Sequence, residues 1–453
     1  MIYISAQPDE VYFLWQLELQ LFNFHSVGIG NDSIHILVGY NPEKGIHPQF
    51  KKFADNHKEI QIFFYPDKRK KKKYLSSIRP HLLAQHFAAY RSLEEETIFY
   101  HDSDILFTGV PNWDELCQDE VWYVSDTRSY LDSRYFRRFV DDDEFIRVCG
   151  LLSLTPDDVE HHDENAGGAQ YILKKSTAEF WKKIEEDCEL LFTYLYNEQK
   201  YGTRIQEGLQ IWCTDMWVMW WNAILLNRDF RIHPLLNFCW ADSPVKELDR
   251  NMILHYTGNE NREKSIFDKT RYKTHSPFYV DLSNIQADNC SWFVIQLIRQ
   301  YRELLDCKRL EMPNSLFLLV DRGHAEIAEK YYRKYWNVDI RICKQCEISK
   351  ILVEADYKHV YVLPTNRIIP FEEMKTLKSN IDVWGNVTVS CKLQVHRMDS
   401  LGIHVFSQIL EDDYLTENLG KTILVPNLEK MVIQSKSDTE FLNKELILDV
   451  YGL

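Results

Sequence analysis

Two aspartates one residue apart, Asp102 and Asp104, interrupt the apolar stretch TIFYHDSDILF at residues 97–107. Strand-forming residues flank them, so both carboxylates can face one cavity at the end of a strand. Carboxylates this close repel each other unless a proton or a cation lies between them. Hard oxygen ligands suit Mg²⁺ or Mn²⁺, which complete their coordination shells with substrate phosphates and water. A turn with a helix cap is the alternative, because Asp-x-Asp also occurs by chance.

Two further side chains, His255 and Asp215, are candidates for the same chemistry. His255 lies on a predicted strand before Gly258 in ILHYTG, and an imidazole beside two carboxylates favours Mn²⁺ over Mg²⁺. Its alternative is a core histidine bonded to the backbone. Asp215 sits in IWCTDMWVMWW, where a carboxylate among apolar residues is costly without a partner. It is predicted either to cap the first turn of a helix or to act on an acceptor hydroxyl as a contact or general base.

The elements that must position these residues alternate along the first part of the chain. Short β-branched runs are separated by segments with helical spacing, which predicts an α/β fold with a mostly parallel sheet. Ligands of such sheets bind beyond the carboxyl ends of the strands, where the Asp pair is predicted. A second α/β pattern starts near residue 309 with SLFLLVD, VDIRIC and HVYVLP. The predicted organisation is a catalytic domain at residues 1–265, a helical linker at 266–312 and a smaller α/β domain of unknown role at 313–453.

Composition excludes some classes of protein. The 453 residues are 45% hydrophobic and 27% charged, which is typical of globular domains. A net charge of −15 argues against a nucleic-acid binder, so the basic run DKRKKKKY at residues 67–74 is read as a solvated loop rather than a nucleic-acid patch. No signal peptide and no apolar run long enough for a membrane span are predicted. The ten scattered cysteines are read as reduced thiols, which predicts a cytoplasmic protein.

Several segments resemble, in the same order, those of metal-dependent GT-A glycosyltransferases, which use nucleotide-sugar donors. FYHDSDILF is similar to their Asp-x-Asp segment, and SSIRPHLLAQHFAAYRSLEEET to the helix before it, which includes Arg79. ENAGGAQYIL resembles the glycine-bearing turn where donor sugar and acceptor meet. ILHYTG resembles the His-x-x-Gly segment of the retaining glycogenin and galactinol synthase branch. WQLELQLFNF and FCWADSP are more loosely similar to plant peptidyl glycosyltransferases, and the resemblance covers about residues 1–260.

The resemblance implies a GT-A domain that transfers a sugar, most simply from a UDP-sugar, to a hydroxyl of a glycan or peptide. It implies Mn²⁺ or Mg²⁺ bound by Asp102, Asp104 and His255. The implied donor-binding residues are Ser5, Ala6, Gln7, Arg79, Asp102, Ser103 and Gly258. The implied acceptor or sugar-binding residues are Asn165, Gly167, Gly168 and Asp215, although a tight turn explains the two glycines equally well.

One position departs from the retaining branch, whose diphosphate-binding lysine follows the glycine by three residues. Asn261 occupies that position here, so Arg262 or Lys264 would have to substitute. Two other functions are left open. A sugar-phosphate nucleotidyltransferase also uses acidic metal ligands, but it is expected to carry a glycine-rich basic loop after the first strand, and SAQPDEVYF has none. A non-catalytic nucleotide-sugar-binding protein on the same fold is the other alternative.

Overall fold

The computed structural model describes residues 1–258, 263–274, 276–278, 280–307, 309–323, 325–354, 356–357, 359–365, 367–368, 393–398, 430–435 and 440–441. The chain forms two compact units. The first consists of Met1–Lys273 and Val280–Arg299, and the second of Thr274–Tyr279 and Gln300–Leu453. Much of the domain predicted at residues 313–453 lies outside the described residues, and the predicted boundaries at 265 and 313 stay a prediction.

The first unit is built from ten strands and nine helices in its described residues. The strands are β1 (Ile2–Pro8), β2 (Ile34–Tyr40), β3 (Gln61–Pro66), β4 (Thr97–His101), β5 (Ile105–Phe107), β6 (Trp122–Asp126), β7 (Gly167–Lys174), β8 (Phe230–Ile232), β9 (Phe238–Trp240) and β10 (Ile253–His255). The helices are α1 (Val11–Ser26), α2 (Pro48–Asn56), α3 (Ile78–Ala89), α4 (Arg128–Leu131), α5 (Ser133–Phe136), α6 (Asp142–Leu151), α7 (Pro156–Glu160), α8 (Ala178–Tyr201) and α9 (Thr214–Leu225). Helix α10 (Ser291–Cys307) begins in the first unit and ends in the second.

A seven-stranded sheet forms the centre of the first unit, in the order β3-β2-β1-β4-β7-β6-β8. Six strands run in one direction, and β7 is antiparallel to both of its neighbours. This arrangement confirms the predicted α/β class with a mostly parallel sheet. The chain passes from β1 to β2 and β3 on one side and returns to β4 on the other, so the strand order reverses between β1 and β4. Open α/β sheets bind ligands beside the carboxyl ends of the strands at such a point.

A second, three-stranded sheet of the first unit has the order β5-β10-β9. Strand β10 is antiparallel to β5 and parallel to β9. Because β5 follows β4 after three residues, this small sheet joins the Asp102–Asp104 turn to a segment about 150 residues later in the chain.

The second unit contains its own described sheet. Its elements are β11 (Leu310–Val320), α11 (Ala325–Tyr335), β12 (Trp336–Cys343), α12 (Ile348–Glu354), β13 (His359–Pro364), β14 (Arg367–Ile368), β15 (Leu393–Met398), β16 (Lys430–Ser435) and β17 (Glu440–Phe441). Five strands follow the order β12-β11-β13-β16-β15. The first four are parallel, β15 at the edge is antiparallel to β16, and β14 pairs with β17. Among the helices that the structure describes, none combines the length and apolar character needed to cross a bilayer.

The two glycines predicted in a turn, Gly167 and Gly168, instead form the first residues of β7. They pair with Asp126 and Ser125 of β6, where the strand register shifts. A Cβ atom on Gly167 would overlap Val124, and one on Gly168 would overlap Met216 of α9. The turn prediction was therefore wrong, and close packing of β7 against its neighbours accounts for both glycines.

Two neighbouring histidines, His35 of β2 and His86 of α3, are packed beside Tyr65 of β3. The His35 Nδ1 and His86 Nε2 atoms are 3.0 Å apart, and the Tyr65 hydroxyl is 2.8 Å from His86 Nδ1. Burial lowers the pKa of His35 to about 4 and, together with the neighbouring His35, the pKa of His86 to about 3. Both imidazoles are therefore neutral in the folded protein at neutral pH.

This pair should make the protein less stable as the pH falls below about 6.5. In the unfolded chain both histidines bind protons in this pH range, whereas in the folded chain they stay neutral until the pH reaches their lowered pKa values. Each histidine therefore removes up to about 1.4 kcal/mol of unfolding free energy per pH unit. Urea unfolding between about pH 7 and pH 5 measures this slope. The triple variant His35→Leu/His86→Leu/Tyr65→Phe should show a shallower slope, and the exposed control His161→Leu should not. Equal slopes in the triple variant and wild type would contradict the assignment.

Candidate active site

The Asp pair lies at the point where the central sheet reverses its strand order. Strand β4 ends at His101 and β5 begins at Ile105, so residues 102–104 form the turn between them. The Asp104 carbonyl accepts a hydrogen bond from the Tyr256 backbone N–H at 3.1 Å, and His255 pairs with Ile105 across β10 and β5. The β-pairing therefore places His255 directly beside the two aspartates, as the metal prediction requires.

Helix α1 holds this turn through two of its buried polar side chains, Gln20 and Asn23. Gln20 Nε2 donates to the carbonyls of Asp102 and Ile105, at 2.9 and 3.3 Å. Asn23 bonds both the backbone N–H and the carbonyl of Phe107, at 2.7 and 2.9 Å. These bonds satisfy backbone groups that a turn at a buried strand end leaves without a partner. The prediction from sequence missed this role, although the spacing of the two side chains in WQLELQLFNF places both on one face of the helix.

Asp104 is the more buried member of the pair, with its side chain 3% exposed. One carboxylate oxygen is 3.3 Å from His255 Nε2, and the other contacts the Lys269 ammonium. Burial alone would raise the pKa of Asp104, but the positive charge of Lys269 and the hydrogen bond from His255 outweigh it and hold that pKa well below its usual range. Asp104 is therefore an ionised carboxylate inside the protein.

Asp102, Asp104 and His255 together offer three ligand atoms for a cation. One donor atom from each lies within 4.8 Å of the others, and His255 Nε2 is 3.6 Å from Asp102 Oδ2. Two carboxylates and an imidazole suit a divalent ion such as Mn²⁺. The donor set fits a metal, and the ammonium of Lys269 supplies positive charge at the same place.

Lys269 is a residue of the site that the sequence did not reveal. It begins a short 3₁₀ turn, Lys269–Arg271, eleven positions after Gly258, outside the spacing of the resembling motif. Burial would lower the pKa of the lysine, but Asp104 outweighs this effect and raises it, so the side chain is charged. Of the two predicted substitutes for the missing lysine, Lys264 is exposed and Arg262 lies outside the described residues, as does Asn261 itself.

Arg79 connects Asp102 with Asp215. Its Nη1 atom is 2.9 Å from Asp102 Oδ1 and 3.3 Å from Asp215 Oδ2. The Tyr74 hydroxyl lies 2.6 Å from the other Asp215 oxygen. Burial raises the pKa of Asp215, and the Arg79 charge offsets part of that effect. Asp215 does lie in the first turn of α9, as one of its two readings predicted, and it also faces the site, as the other did.

The buried side-chain amide of Gln170 contacts the second ring nitrogen of His255, Nδ1. Gln170 Nε2 donates to His255 Nδ1 at 3.2 Å, and the Ser125 hydroxyl donates to Gln170 Oε1 at 2.7 Å. This orientation leaves the imidazole proton on Nε2, facing the carboxylates. A ligating Nε2 must be free of its proton, which then moves to Nδ1. Gln170 accommodates that tautomer by turning its amide oxygen toward Nδ1, because the Ser125 hydroxyl can both donate and accept.

A cavity of about 760 Å³ opens over these groups, a size typical of small-ligand sites. The predicted site residues in its wall are Ala6, Arg79, Asp102, Ser103, Asp104, Asp215, His255 and Gly258, and Lys269 joins them. Aromatic rings of Tyr130, Trp212 and Trp240 form another part of the wall. These rings offer stacking faces for a base or a sugar.

The structure does not bring every predicted residue to this cavity. Ser5, Gln7, Asn165, Gly167 and Gly168 are absent from its wall within the described part of the chain. Gln7 is buried, and its Nε2 atom donates to the Leu37 carbonyl at 2.9 Å. The Asn165 side-chain oxygen accepts from the Ile232 backbone N–H at 3.2 Å. These two side chains form hydrogen bonds with neighbouring backbone groups instead.

No protein-family profile matches the sequence, and no curated protein matches it significantly. Solved structures show distant likenesses. The apo form of the glycosyltransferase GlyE from Streptococcus pneumoniae TIGR4 matches at 10% identity over 84% of this chain and 89% of its own, with a TM-score of 0.32. The galactosyltransferase LgtC in complex with donor and acceptor sugar analogs matches at 11% identity over 66% of this chain and 96% of its own, with a TM-score of 0.33. Likenesses this distant carry no conclusion about this chain.

Proposed function

We propose that this chain is a metal-dependent GT-A glycosyltransferase that transfers a sugar from a nucleotide-sugar donor to a hydroxyl acceptor. The observation that carries the proposal is the cluster of Asp102, Asp104 and His255 at the carboxyl end of β4, in the wall of a cavity about 760 Å³ in volume. A nucleoside diphosphate leaving group gains negative charge as the sugar bond breaks. A divalent ion bound by the cluster would supply the Lewis acid that stabilises this charge.

The chain's own residues have distinct roles in this proposal. Arg79 orients the Asp102 carboxylate and adds positive charge beside the leaving group. Asp215 accepts hydrogen bonds from sugar or acceptor hydroxyls, and Tyr74 fixes its orientation. Ala6, Ser103 and Gly258 form the wall near the donor. The side chains of Ser5, Gln7 and Asn165 have no role in the proposal, because they lie outside the cavity wall.

Three finer features belong to the proposal. Mn²⁺ is preferred over Mg²⁺, because an imidazole completes the donor set. The donor is a UDP-sugar and the acceptor a glycan or peptide hydroxyl in a cytoplasmic setting, on the resemblance of the sequence segments. Transfer retains the anomeric configuration, since His255 of the segment that resembles the retaining branch reaches the Asp pair.

Calorimetric titration with UDP-, GDP- and CMP-sugars, each with and without Mn²⁺, tests the proposal. One donor should bind far more tightly with Mn²⁺ and should be slowly hydrolysed to the free sugar, whose anomer NMR would identify. Conversion of a nucleoside triphosphate and a sugar phosphate into a nucleotide-sugar would instead favour the nucleotidyltransferase. Donor affinities that are the same with and without Mn²⁺ would contradict the metal-dependent function.

A further inference from the structure

The basic run at residues 68–73 belongs to a surface that is anchored at both of its ends. Arg69 is buried, and its guanidinium group bonds Asp67 at 3.0 Å and the Ser77 hydroxyl at 2.8 Å. The backbone N–H groups of Lys73 and Tyr74 donate to the buried Glu189 carboxylate at 3.1 and 3.3 Å. Lys70, Lys71, Lys72 and Lys73 between these anchors are exposed. The structure thus holds the lysines in place at the surface.

Exposed apolar and aromatic side chains adjoin these lysines. The Lys73 ammonium lies 4.6 Å from the centre of the Tyr196 ring, and Lys200 lies 5.1 Å from the same ring and 5.3 Å from that of Tyr201. Leu75 is 78% exposed and Tyr201 74%. Exposed apolar side chains that lie together, rather than singly, mark sites of interaction. We call residues 70–73, Leu75, Lys200, Tyr201 and Trp212 the basic-aromatic surface.

Trp212 connects this surface with the cavity. It is 53% exposed and also lines the cavity wall, and its backbone carbonyl accepts from the Tyr74 hydroxyl at 2.5 Å. Ser76, which directly follows Leu75 in the chain, lines the same cavity. Any partner that covers the basic-aromatic surface therefore lies beside the mouth of the candidate active site.

Positive charge on this surface contrasts with the chain's net charge of −15. Asp67 is engaged by Arg69 and by Lys72, whose ammonium is 2.9 Å from it, and Glu189 is engaged by the loop backbone and by Ser77. Asp67 and Glu189 are thus both engaged in holding the loop in place. Lys70 and Lys71 are exposed, so an anionic partner can reach them.

We infer that the basic-aromatic surface docks the protein onto an anionic lipid bilayer. Lysines near a membrane surface are attracted to acidic headgroups, while leucine, tyrosine and tryptophan side chains insert at the headgroup boundary. The combination of cations with exposed apolar groups favours a bilayer over a nucleic acid, which offers no apolar boundary to Leu75. Docking places the cavity mouth at the lipid surface. Docking itself is independent of the proposed function, whereas the use of a lipid-linked acceptor would rest on it.

Cosedimentation with phosphatidylcholine vesicles, with and without phosphatidylglycerol, tests the inference in the absence of metal and nucleotide. The full chain should bind the vesicles that contain phosphatidylglycerol and should be released by high salt. The variant Lys70→Gln/Lys71→Gln should bind about 25-fold more weakly, since each lysine near the surface contributes about a factor of five. Its melting temperature should match that of wild type, because both side chains are exposed and neither belongs to the Lys72–Asp67 ion pair.

Matched controls separate the surface from overall charge. The variant Lys51→Gln/Lys58→Gln removes two exposed lysines elsewhere and should bind as wild type does. The variant Leu75→Ser/Tyr201→Ser should bind more weakly and be released at lower salt. Failure of wild type to bind the anionic vesicles, or equal losses in the two lysine variants, would overturn the inference. Binding to RNA but not to vesicles would overturn it too and would assign the surface to a nucleic acid.

Discussion

Asp104→Asn and Asp102→Asn should each weaken Mn²⁺ binding strongly and lower sugar transfer about a thousandfold. Each substitution keeps the shape of the side chain but removes one of the two negative charges that hold the cation. Asp104→Asn should have the larger effect on Mn²⁺ affinity, because Asp104 is more buried than Asp102 and lies closer to His255, at 3.3 rather than 3.6 Å. Calorimetric Mn²⁺ titration, and a transfer assay with whichever donor the nucleotide-sugar titration identifies, measure both effects.

Folding must be separated from metal binding in this experiment. Asp104→Asn leaves the Lys269 charge beside a neutral amide, so it also destabilises the protein. Asp102→Asn separates the two effects better, because Arg79 still has the Asp215 carboxylate as a partner after the substitution. The control Asp143→Asn changes an exposed acid and should leave Mn²⁺ binding, transfer and melting temperature unchanged. Normal Mn²⁺ affinity in a folded Asp102→Asn variant would contradict the metal site.

Lys269→Met should destabilise the metal-free protein by about 3–5 kcal/mol, and Mn²⁺ should restore most of this stability. The substitution leaves the Asp104 carboxylate buried beside Asp102 without the ammonium that balances it. A divalent ion can replace that charge, and in the variant it no longer has to displace the lysine. Binding to the folded state stabilises it in proportion to the logarithm of ligand concentration over dissociation constant. The Mn²⁺-induced gain in unfolding free energy should therefore be larger in Lys269→Met than in wild type.

Urea unfolding with and without Mn²⁺ measures both parts of this prediction. Lys273→Met serves as the control, because Lys273 is exposed and four residues away, and it should change neither stability nor the response to Mn²⁺. Equal Mn²⁺-induced gains in wild type and Lys269→Met would show that the lysine and the metal do not compete for Asp104. Mg²⁺ in place of Mn²⁺ should give a smaller gain in both proteins, since the imidazole of His255 favours Mn²⁺.

The local pattern of the sequence predicted those features that depend on neighbours in the chain. Alternating strand and helix periods gave the α/β class and the mostly parallel sheet, because periodicity follows directly from which side of an element is buried. The same reasoning placed Asp102 and Asp104 at the end of a strand, and the structure has them between β4 and β5. His255 was predicted by its order along the chain in a resembling segment, and the pairing of β10 with β5 brings it to the aspartates.

Contacts between distant parts of the chain were decided by the tertiary structure alone. The sequence pattern favoured a turn at Gly167 and Gly168. Val124 and Met216 crowd these two positions, and no local pattern shows that these residues meet the glycines. Lys269 meets Asp104 across 165 residues, and Gln20 meets Asp102 across 82. Nothing in the local sequence distinguishes Lys269 from the exposed lysines of the chain. The spacing of Gln20 and Asn23 shows only that they share a helix face, not what that face contacts. Only the packing of their backbones into one site makes it favourable to bury them, since burial requires a partner of matching charge or hydrogen-bonding capacity.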